Sequence, residues 1–252
     1  MVDAVRLRSV VALAGRFPLL AGADLSARPG EVVLLRGPNG AGKTSLLRVC
    51  AGLLAVTSGQ ATVLGEDLLA DRRGIRRRVG LLAHATHLYD DLTVAENVRF
   101  FVRAAGLPGD AAAPALARLG LTGRLADLPA SRLSAGQRRR AALAVIAARE
   151  PELWLLDEPH AGLDAGGREL VDELVAAAAR RGAAVVMASH EGGAVEELAH
   201  RTVVVSGGRS VEQPVGSSLT SSVEPAAGSS AGSSAGPDPT PGGRPEEQIL
   251  VG

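Results

Sequence analysis

The nine residues GPNGAGKTS, numbers 37–45, match the pattern G-x-x-x-x-G-K-[ST]. The run EVVLL (31–35) precedes them and LLRV (46–49) follows, which predicts a strand, a glycine-rich loop and a helix in that order. Glycines let successive backbone N–H groups point at one anion, and the N-terminus of the following helix adds positive charge. The loop is therefore predicted to bind a polyphosphate. The candidate binding residues are Gly37, Pro38, Asn39, Gly40, Ala41, Gly42, Lys43, Thr44 and Ser45.

Two side chains of this loop have more specific predicted roles. Lys43 is expected to reach the β- and γ-phosphates of the ligand, and the Thr44 hydroxyl is expected to bind Mg²⁺. Lysine and arginine together number 27, yet Lys43 is the only lysine in the chain. A compact ammonium fits inside a phosphate-binding loop that a planar guanidinium would crowd, so this composition supports the assignment.

The composition of the whole chain limits its class. A length of 252 residues is enough for one sizeable core with an inserted lobe, and the 27 basic and 27 acidic residues balance, so we expect no nucleic acid partner. Cys50 is the only cysteine, which excludes an intramolecular disulfide and points to a reducing compartment. We find no signal peptide and no uncharged apolar run of about 18 residues. We therefore expect a chain that docks on a membrane protein and does not itself span a bilayer.

Short apolar runs predict a β-rich subdomain at the start of the chain. Strands are expected over 4–13, 31–36 and 60–65, with a helix over 43–54. A turn is expected at 27–30, where Pro followed by Gly favours a chain reversal. Phe17 is the only aromatic residue of this part of the chain and is a candidate for stacking on an adenine ring; the alternative is a core or turn aromatic.

The middle of the chain has helical patterning. Thr93 followed by Glu96 predicts a capping box at the start of one helix, and a second helix is expected over about 110–119. Residues 85–133 are therefore predicted to form an all-helical lobe inserted into an α/β core.

Acidic and histidine side chains follow two predicted strands in the second half of the chain. The apolar run LWLL (153–156) predicts a strand buried on both faces, and Asp157 and Glu158 come directly after it. His190 follows a second apolar strand, 183–188. Ligands of open α/β sheets bind at the carboxyl ends of the strands, so we expect these side chains to meet at one site.

The chain is predicted to consist of two parts. The last strand of the fold is expected over 201–205. From residue 207 the sequence turns to serine, glycine and proline repeats, which cannot bury enough apolar surface to offset the entropy of folding. We therefore predict a folded domain, 1–206, and a disordered tail, 207–252.

Five features now stand in chain order: the phosphate loop, His84 after a predicted strand, LSAGQ (133–137), the pair Asp157-Glu158, and His190. They resemble the nucleotide-binding subunit of ATP-binding cassette (ABC) transporters over residues 4–206, and LSAGQ upstream of the acidic strand end is the most specific of them. The resemblance implies an α/β fold with a P-loop NTPase (RecA-like) core, an antiparallel β subdomain and an inserted α-helical subdomain. It also implies hydrolysis of ATP, with Mg²⁺ as the cofactor.

The resemblance implies roles for individual residues. Asp157 would hold Mg²⁺ together with Thr44, and Glu158 would polarise the attacking water. His190 resembles the family's switch histidine, which contacts the γ-phosphate. His84 stands where most members carry a glutamine that reaches Mg²⁺ and the water, and a neutral imidazole reproduces only part of the hydrogen bonding of that amide. Three further histidines match no such position and are expected to be surface or packing residues: His87, His160 and His200.

The resemblance also implies two partners. Ser134, Gly136 and Gln137 of LSAGQ would contact the nucleotide held by a second nucleotide-binding subunit, so a homodimer that sandwiches two ATP molecules is expected. The other partner is an integral membrane transporter subunit, which would place this chain peripherally at the cytoplasmic face of the cell membrane. Tyr89 and Leu88 are predicted to form an exposed docking anchor for that subunit; the alternative is that Tyr89 packs on the helical lobe.

A narrower resemblance involves His84 and three motifs, LTVAENVRF (92–100), LSAGQRRR (133–140) and LWLLDEP (153–159). They are similar to the haem-exporter ATP-binding subunits of cytochrome c maturation. The ATPase of a drug or lipid exporter remains open, as does a soluble cassette ATPase that acts on ribosomes or DNA. A GTPase is excluded, because its guanine-reading N/T-K-x-D motif would require a second lysine.

Overall fold

The computed structural model describes residues 2–190 and 194–213. Its strands, in chain order, are β1 (Val5–Ala14), β2 (Phe17–Ala27), β3 (Val32–Arg36), β4 (Ser58–Val63), β5 (Glu66–Asp67), β6 (Val79–Leu82), β7 (Leu153–Asp157), β8 (Ala184–Ala188), β9 (Arg201–Ser206) and β10 (Arg209–Gln213). Its helices are α1 (Lys43–Cys50), α2 (Val94–Ala104), α3 (Ala112–Arg118), α4 (Ala135–Arg149), α5 (Ala165–Arg180) and α6 (Ala194–Leu198).

The larger of two sheets has the strand order β10-β9-β3-β8-β7-β6. Strand β10 is antiparallel to β9, and every other neighbouring pair is parallel. The carboxyl ends of the five parallel strands therefore share one edge of the sheet. We call this the carboxyl edge, and the opposite one the amino edge.

Two hydrophobic cores cover the two faces of this sheet, which explains the near-continuous apolar runs. Alternate residues of one strand point to opposite faces. In β3, Val32 and Leu34 belong to a core shared with the helical lobe, α4 and α5, whereas Val33 and Leu35 belong to a core shared with α1 and the smaller sheet. The predicted α/β core is confirmed.

The smaller sheet is antiparallel, in the order β2-β1-β4-β5, as predicted for this subdomain. Strand β2 is not predicted by the sequence pattern, in which the turn at 27–30 joins the first strand to β3. Pro18 and Gly22 interrupt the pattern of this segment, but β2 is an edge strand of its sheet, where a proline that donates no hydrogen bond is tolerated. The predicted helix over 43–54 is also too long, because α1 ends at Cys50.

The helical lobe is confirmed between β6 and α4. It contains α2, α3 and short 3₁₀ turns, and its apolar residues join the core of the large sheet. The predicted capping box is present, since the Thr93 side chain accepts a hydrogen bond from the Glu96 N–H and the Glu96 carboxylate accepts one from the Thr93 N–H. These reciprocal bonds fix where α2 begins.

The fold extends beyond its predicted end at residue 206. Gly207 and Gly208 both have positive φ angles, and they turn the chain into β10, which pairs along β9. An edge strand needs few apolar residues, so the composition of RSVEQ (209–213) does not distinguish it from the predicted tail. Residues 214–252 lie outside the described part of the chain, so the disordered tail stays a prediction for them. Within the described ranges, no helix combines the length and apolar character that crossing a membrane requires.

Candidate active site

The phosphate loop joins β3 to α1 and depends on glycine. Gly37, Gly40 and Gly42 have φ angles of 143°, 78° and 112°, which side chains rarely allow. A Cβ atom on Gly37 would lie 2.0 Å from the Val205 carbonyl oxygen, because the backbone of β9 runs against the loop. Gly42 is the N-cap of α1, so the N-terminal N–H groups of that helix face the same space as the loop.

Lys43 is held within this loop. Its side chain is buried, and Nζ donates hydrogen bonds to the Gly37 carbonyl oxygen at 2.7 Å and to that of Pro38 at 3.2 Å. The ammonium therefore lies beside the backbone that is predicted to surround the phosphates. This arrangement fits a polyphosphate ligand, because a glycine-rich loop can turn N–H groups towards an anion and Lys43 adds a fixed positive charge.

The two predicted Mg²⁺ ligands meet. Thr44 Oγ1 donates a hydrogen bond of 2.8 Å to Asp157 Oδ2, which brings the start of α1 to the end of β7. A hydroxyl and a carboxylate are hard oxygen ligands of the kind that Mg²⁺ prefers, and Mg²⁺ sites commonly use few protein ligands with phosphate oxygens completing the shell. The donor set therefore fits the ion.

Glu158 occupies a strained turn directly after β7. Its φ of 50° is in the left-handed region, which is uncommon for a residue with a side chain. Its N–H donates to the Ala188 carbonyl oxygen at 2.9 Å, and its Oε2 lies 2.9 Å from His190 Nδ1. The structure therefore brings Glu158 and His190 together at the carboxyl edge, beside Asp157.

The phosphate loop and the acidic pair after β7 line the same cavity, which has a volume of about 570 Å³. It is lined by Pro18, Leu19, Asn39, Gly40, Ala41, Gly42, Lys43, Thr44, Ser45, His84, Asp157, Glu158, Gly207 and Gly208. His84, which follows β6, is thus on the same cavity as the acidic pair, as its predicted role requires. Gly207 and Gly208 were missed because they were assigned to the tail, although a Gly-Gly pair is itself a turn signal.

The region around Phe17 forms another side of this cavity. Pro18 and Leu19 line it, and the neighbouring Phe17 is 79% exposed, which excludes the alternative of a core aromatic. Stacking of Phe17 on adenine stays a prediction.

The LSAGQ residues do not line the cavity of their own chain. Ser134 caps α4 by accepting a bond from the Gln137 N–H, and the Gln137 side chain accepts one from the Ser134 N–H. Gly136 packs on the loop after β7, where an added Cβ would lie 2.7 Å from the Gly162 carbonyl oxygen. Their separation from the phosphate loop agrees with the expectation that they serve a second subunit, which stays a prediction.

A buried arginine that the sequence analysis did not identify contacts the end of β7. Arg139 of α4 is 5% exposed, and its guanidinium donates to the carbonyl oxygens of Asp157, Glu158 and Pro159. Burial lowers the pKa of Arg139, while the charges of Asp157 and Glu158 raise it. In the sequence this residue is one of three consecutive arginines, which look like a solvated charge run.

The remaining predictions concern three histidines and the proposed exposed pair Tyr89 and Leu88. His160 is buried, with Nε2 2.8 Å from Asp172 Oδ1, so it has a packing role. His200 is exposed on the surface, where its Nδ1 accepts the Val32 N–H at 3.1 Å. Leu88 is buried in the core, so the predicted exposed pair was wrong for Leu88. Tyr89 is exposed as predicted, and its ring also packs on Phe100 and Phe101 of the helical lobe, as the alternative held. His87 lies exposed on the surface.

Comparison with known proteins agrees with this geometry. The sequence model of the ABC transporter family matches residues 20–161, which include the phosphate loop, LSAGQ and Asp157-Glu158. The cytochrome c biogenesis ATP-binding export protein CcmA of Bordetella bronchiseptica is 43% identical over 204 residues, covering 75% of this chain and 88% of that protein. The protein of the same name from Nitrosomonas europaea is 37% identical over 206 residues, covering 81% and 94%.

Solved structures share the fold. An ATP-binding subunit of an ABC transporter superposes with a TM-score of 0.78 at 23% identity, covering 84% of this chain and 90% of that one. A dimeric bacterial ABC transporter cassette gives a TM-score of 0.77 at 24% identity, covering 84% and 98%.

Proposed function

The chain belongs to the ABC transporter family as one of its ATPases, and from this premise we propose that it powers haem export in cytochrome c biogenesis. The ATPase itself is supported by one arrangement above all. Glu158 Oε2 lies 2.9 Å from His190 Nδ1, and Thr44 Oγ1 lies 2.8 Å from Asp157 Oδ2. Thr44, Asp157 and Glu158 line the cavity that the phosphate loop opens into. The more specific export role is supported by the similar proteins named as cytochrome c biogenesis ATP-binding export proteins, which this chain matches over most of their length.

Each part of the cavity has a proposed task in hydrolysis. Lys43 and the first N–H groups of α1 bind the β- and γ-phosphates, while Thr44 and Asp157 hold Mg²⁺. The ion, when bound, neutralises negative charge on the phosphate oxygens. The Glu158 carboxylate polarises the attacking water, and the hydrogen bond from His190 orients that carboxylate. His84 contributes a hydrogen bond to the same water or to the metal shell.

A complete site requires two chains in this proposal. Ser134 and Gly136 stand at the N-terminus of α4, where backbone N–H groups favour an anion, and they do not line the cavity of their own chain's phosphate loop. Two chains facing each other would place each α4 N-terminus against the γ-phosphate of the other. We therefore infer a homodimer that encloses two ATP molecules.

Docking on a membrane subunit is proposed at an aromatic surface of the helical lobe. Tyr89 is 51% exposed, and its ring contacts Phe100 edge-on at 5.1 Å and Phe101 in a stacked arrangement at 5.9 Å. Phe100 is 45% exposed and lines a cavity of about 450 Å³ together with Glu96, Arg99 and Arg103, of which the Glu96 carboxylate already bonds Thr93. This surface fits a partner segment with apolar and acidic groups, and docking there would hold the chain at the cytoplasmic face of the membrane.

The docking surface can be tested by purification of the complex. Replacing Tyr89 and Phe100 together with Ala is expected to reduce recovery of the membrane subunit with this chain at least about tenfold, because exposed aromatic anchors supply much of an interface's affinity. Leu69→Ala is the matched control, since Leu69 is also 51% exposed but lies outside the lobe. Equal recovery with both variants would contradict the assignment of this surface.

The export role can be tested in the source organism. Deleting the gene is expected to remove covalently bound haem from c-type cytochromes, measured by haem staining of denaturing gels, while b-type cytochromes persist. The wild-type gene should restore the stain, and Glu158→Gln should not. Normal c-type cytochromes in the deletion strain would contradict haem export and favour a drug or lipid exporter.

A further inference from the structure

We propose that Arg139 is a positioning residue for ATP hydrolysis, because its guanidinium fixes the strained turn that directs the Glu158 carboxylate into the cavity. The inference rests on the proposed function of Glu158. Arg139 has no contact with the cavity itself, so it would act through the backbone of its neighbour.

The contacts of Arg139 are concentrated on three consecutive peptide groups. Nη2 donates to the carbonyl oxygen of Asp157 and, at 2.5 Å, to that of Glu158, while Nε donates to that of Pro159 at 3.3 Å. A guanidinium can hold several diverging acceptors in one fixed plane, which neither a glutamine amide nor a lysine ammonium can do.

These contacts hold a conformation that the chain does not prefer. Glu158 has a φ of 50°, and such left-handed residues persist only where their surroundings determine them. On one side, the Glu158 N–H donates to the Ala188 carbonyl oxygen of β8; on the other, the Glu158 carbonyl oxygen accepts hydrogen bonds from Arg139 and, at 3.1 Å, from the Ala161 N–H. The Ala161 bond lies within the turn itself, so Arg139 is the contact that ties the Glu158 carbonyl to α4. Without that contact the turn can relax towards an ordinary backbone conformation, which would rotate the carboxylate away from His190.

The Arg139 guanidinium is buried, so its hydrogen bonds are not exposed surface contacts. Arg139 is 5% exposed, and taking a guanidinium out of water is costly. Its hydrogen bonds here are to neutral carbonyls, which offset that cost less well than a carboxylate would. We therefore infer that Arg139 serves to fix the backbone geometry at Glu158, since a buried charge bonded to neutral carbonyls contributes little to the free energy of folding.

The same helix provides a matched control. Arg149, at the other end of α4, also donates to three carbonyl oxygens, those of Arg76, Arg77 and Val79, at 3.4, 3.3 and 3.2 Å. Burial lowers its pKa as it does that of Arg139. Its acceptors precede or begin β6 at the amino edge, remote from the cavity. A purely structural loss at either arginine should therefore look similar.

The experiment compares Arg139→Gln and Arg149→Gln in the full-length protein, with Arg139→Lys as a second variant. We expect Arg139→Gln to lower kcat by about 10- to 100-fold, the cost of displacing a catalytic group by about 1 Å, with the Kd for ATP within about twofold. Arg149→Gln should lower the melting temperature and leave kcat within about twofold. Arg139→Lys keeps the charge and the packing of the aliphatic stem, so this variant should fold even where Arg139→Gln does not. Its kcat should lie between that of wild type and that of Arg139→Gln.

The outcomes separate this inference from the function on which it rests. A kcat within twofold of wild type in both Arg139 variants, or a decrease that Arg149→Gln matches at equal loss of melting temperature, would overturn the positioning role. Glu158→Gln is measured alongside. If that variant hydrolyses ATP at the wild-type rate, the proposed role of Glu158 fails; if it is inactive while Arg139→Gln is normal, only the present inference fails.

Discussion

The two edges of the large sheet are built from the same strands but carry side chains with different contacts. At the carboxyl edge, the segments after β3, β6, β7 and β8 line or adjoin one cavity and supply Lys43, His84, Glu158 and His190. At the amino edge, Arg78 binds Glu152 through two hydrogen bonds of 2.6 and 2.9 Å, and Arg149 covers the carbonyls that lead into β6. The carboxyl edge opens into the cavity of about 570 Å³, whereas hydrogen bonds within the chain cover the start of β6 at the amino edge.

This difference follows from strand direction. In a parallel sheet every strand delivers its next residue to the same edge, and the helix after β3 begins there with its N–H groups unpaired. The amino edge receives the C-terminal ends of helices, and basic residues such as Arg149 in the last turn complement them. In the proposed mechanism, a charged residue therefore contributes to catalysis or to stability according to the edge of the sheet that it reaches.

The largest effect is expected from a methyl group added at the carboxyl edge. Gly37→Ala would place Cβ 2.0 Å from the Val205 carbonyl oxygen, a backbone atom that cannot move aside without shifting β9. We expect ATP binding to weaken by more than about 100-fold, because the loop cannot keep its phosphate-binding shape. The Kd for ATP is measured by isothermal titration calorimetry in the presence of Mg²⁺.

Gly65→Ala is the control for that variant. Gly65 also has a positive φ, of 85°, but a Cβ atom there would meet nothing within 4 Å. Its backbone strain should cost about 1 kcal/mol of stability without affecting ATP binding. If both variants bind ATP equally, the close packing of β9 on the phosphate loop is not important for the site.

The smallest effect is expected at the amino edge, from Glu152→Gln. The hydrogen bond from Arg78 lowers the pKa of Glu152, so this pair stabilises the fold above the ordinary carboxyl pKa and loses that effect as the pH falls through the lowered value. Both side chains are partly exposed, and solvent screening limits the contribution to about 0.5 kcal/mol. Urea unfolding of wild type and variant should differ at pH 7 and converge near pH 3, with equal kcat for ATP at pH 7. A difference that persists at pH 3 would contradict an ionic contribution.

The parts of the fold that the sequence predicted are those determined by local patterns. The phosphate loop, the Thr93–Glu96 capping box and the buried strands before Asp157 and His190 depend on residues close together in the chain, so the local sequence was sufficient to predict them. The pairing of Glu158 with His190 could also be predicted, because parallel strands bring their carboxyl ends together.

The missed features depend on contacts distant in sequence. Strands β2 and β10 are edge strands, whose polar or proline-containing sequences are acceptable only because a neighbour satisfies one side. Arg139 looks like Arg138 and Arg140 in the sequence, and only the packing of α4 against the end of β7 buries it. Leu88 follows the same rule, since the core of the lobe covers a residue in an otherwise polar loop.

The most direct test of the whole account is the Glu158→Gln variant of the full-length protein. The amide keeps the shape of the side chain but cannot polarise water as a carboxylate does, so ATP should bind with nearly unchanged affinity while hydrolysis stops. With ATP and Mg²⁺ present, the variant should then elute from size exclusion as a nucleotide-bound dimer, whereas wild type should not accumulate in that form. Turnover of ATP by this variant at the wild-type rate would contradict the claim that the carboxyl edge carries out hydrolysis through Glu158.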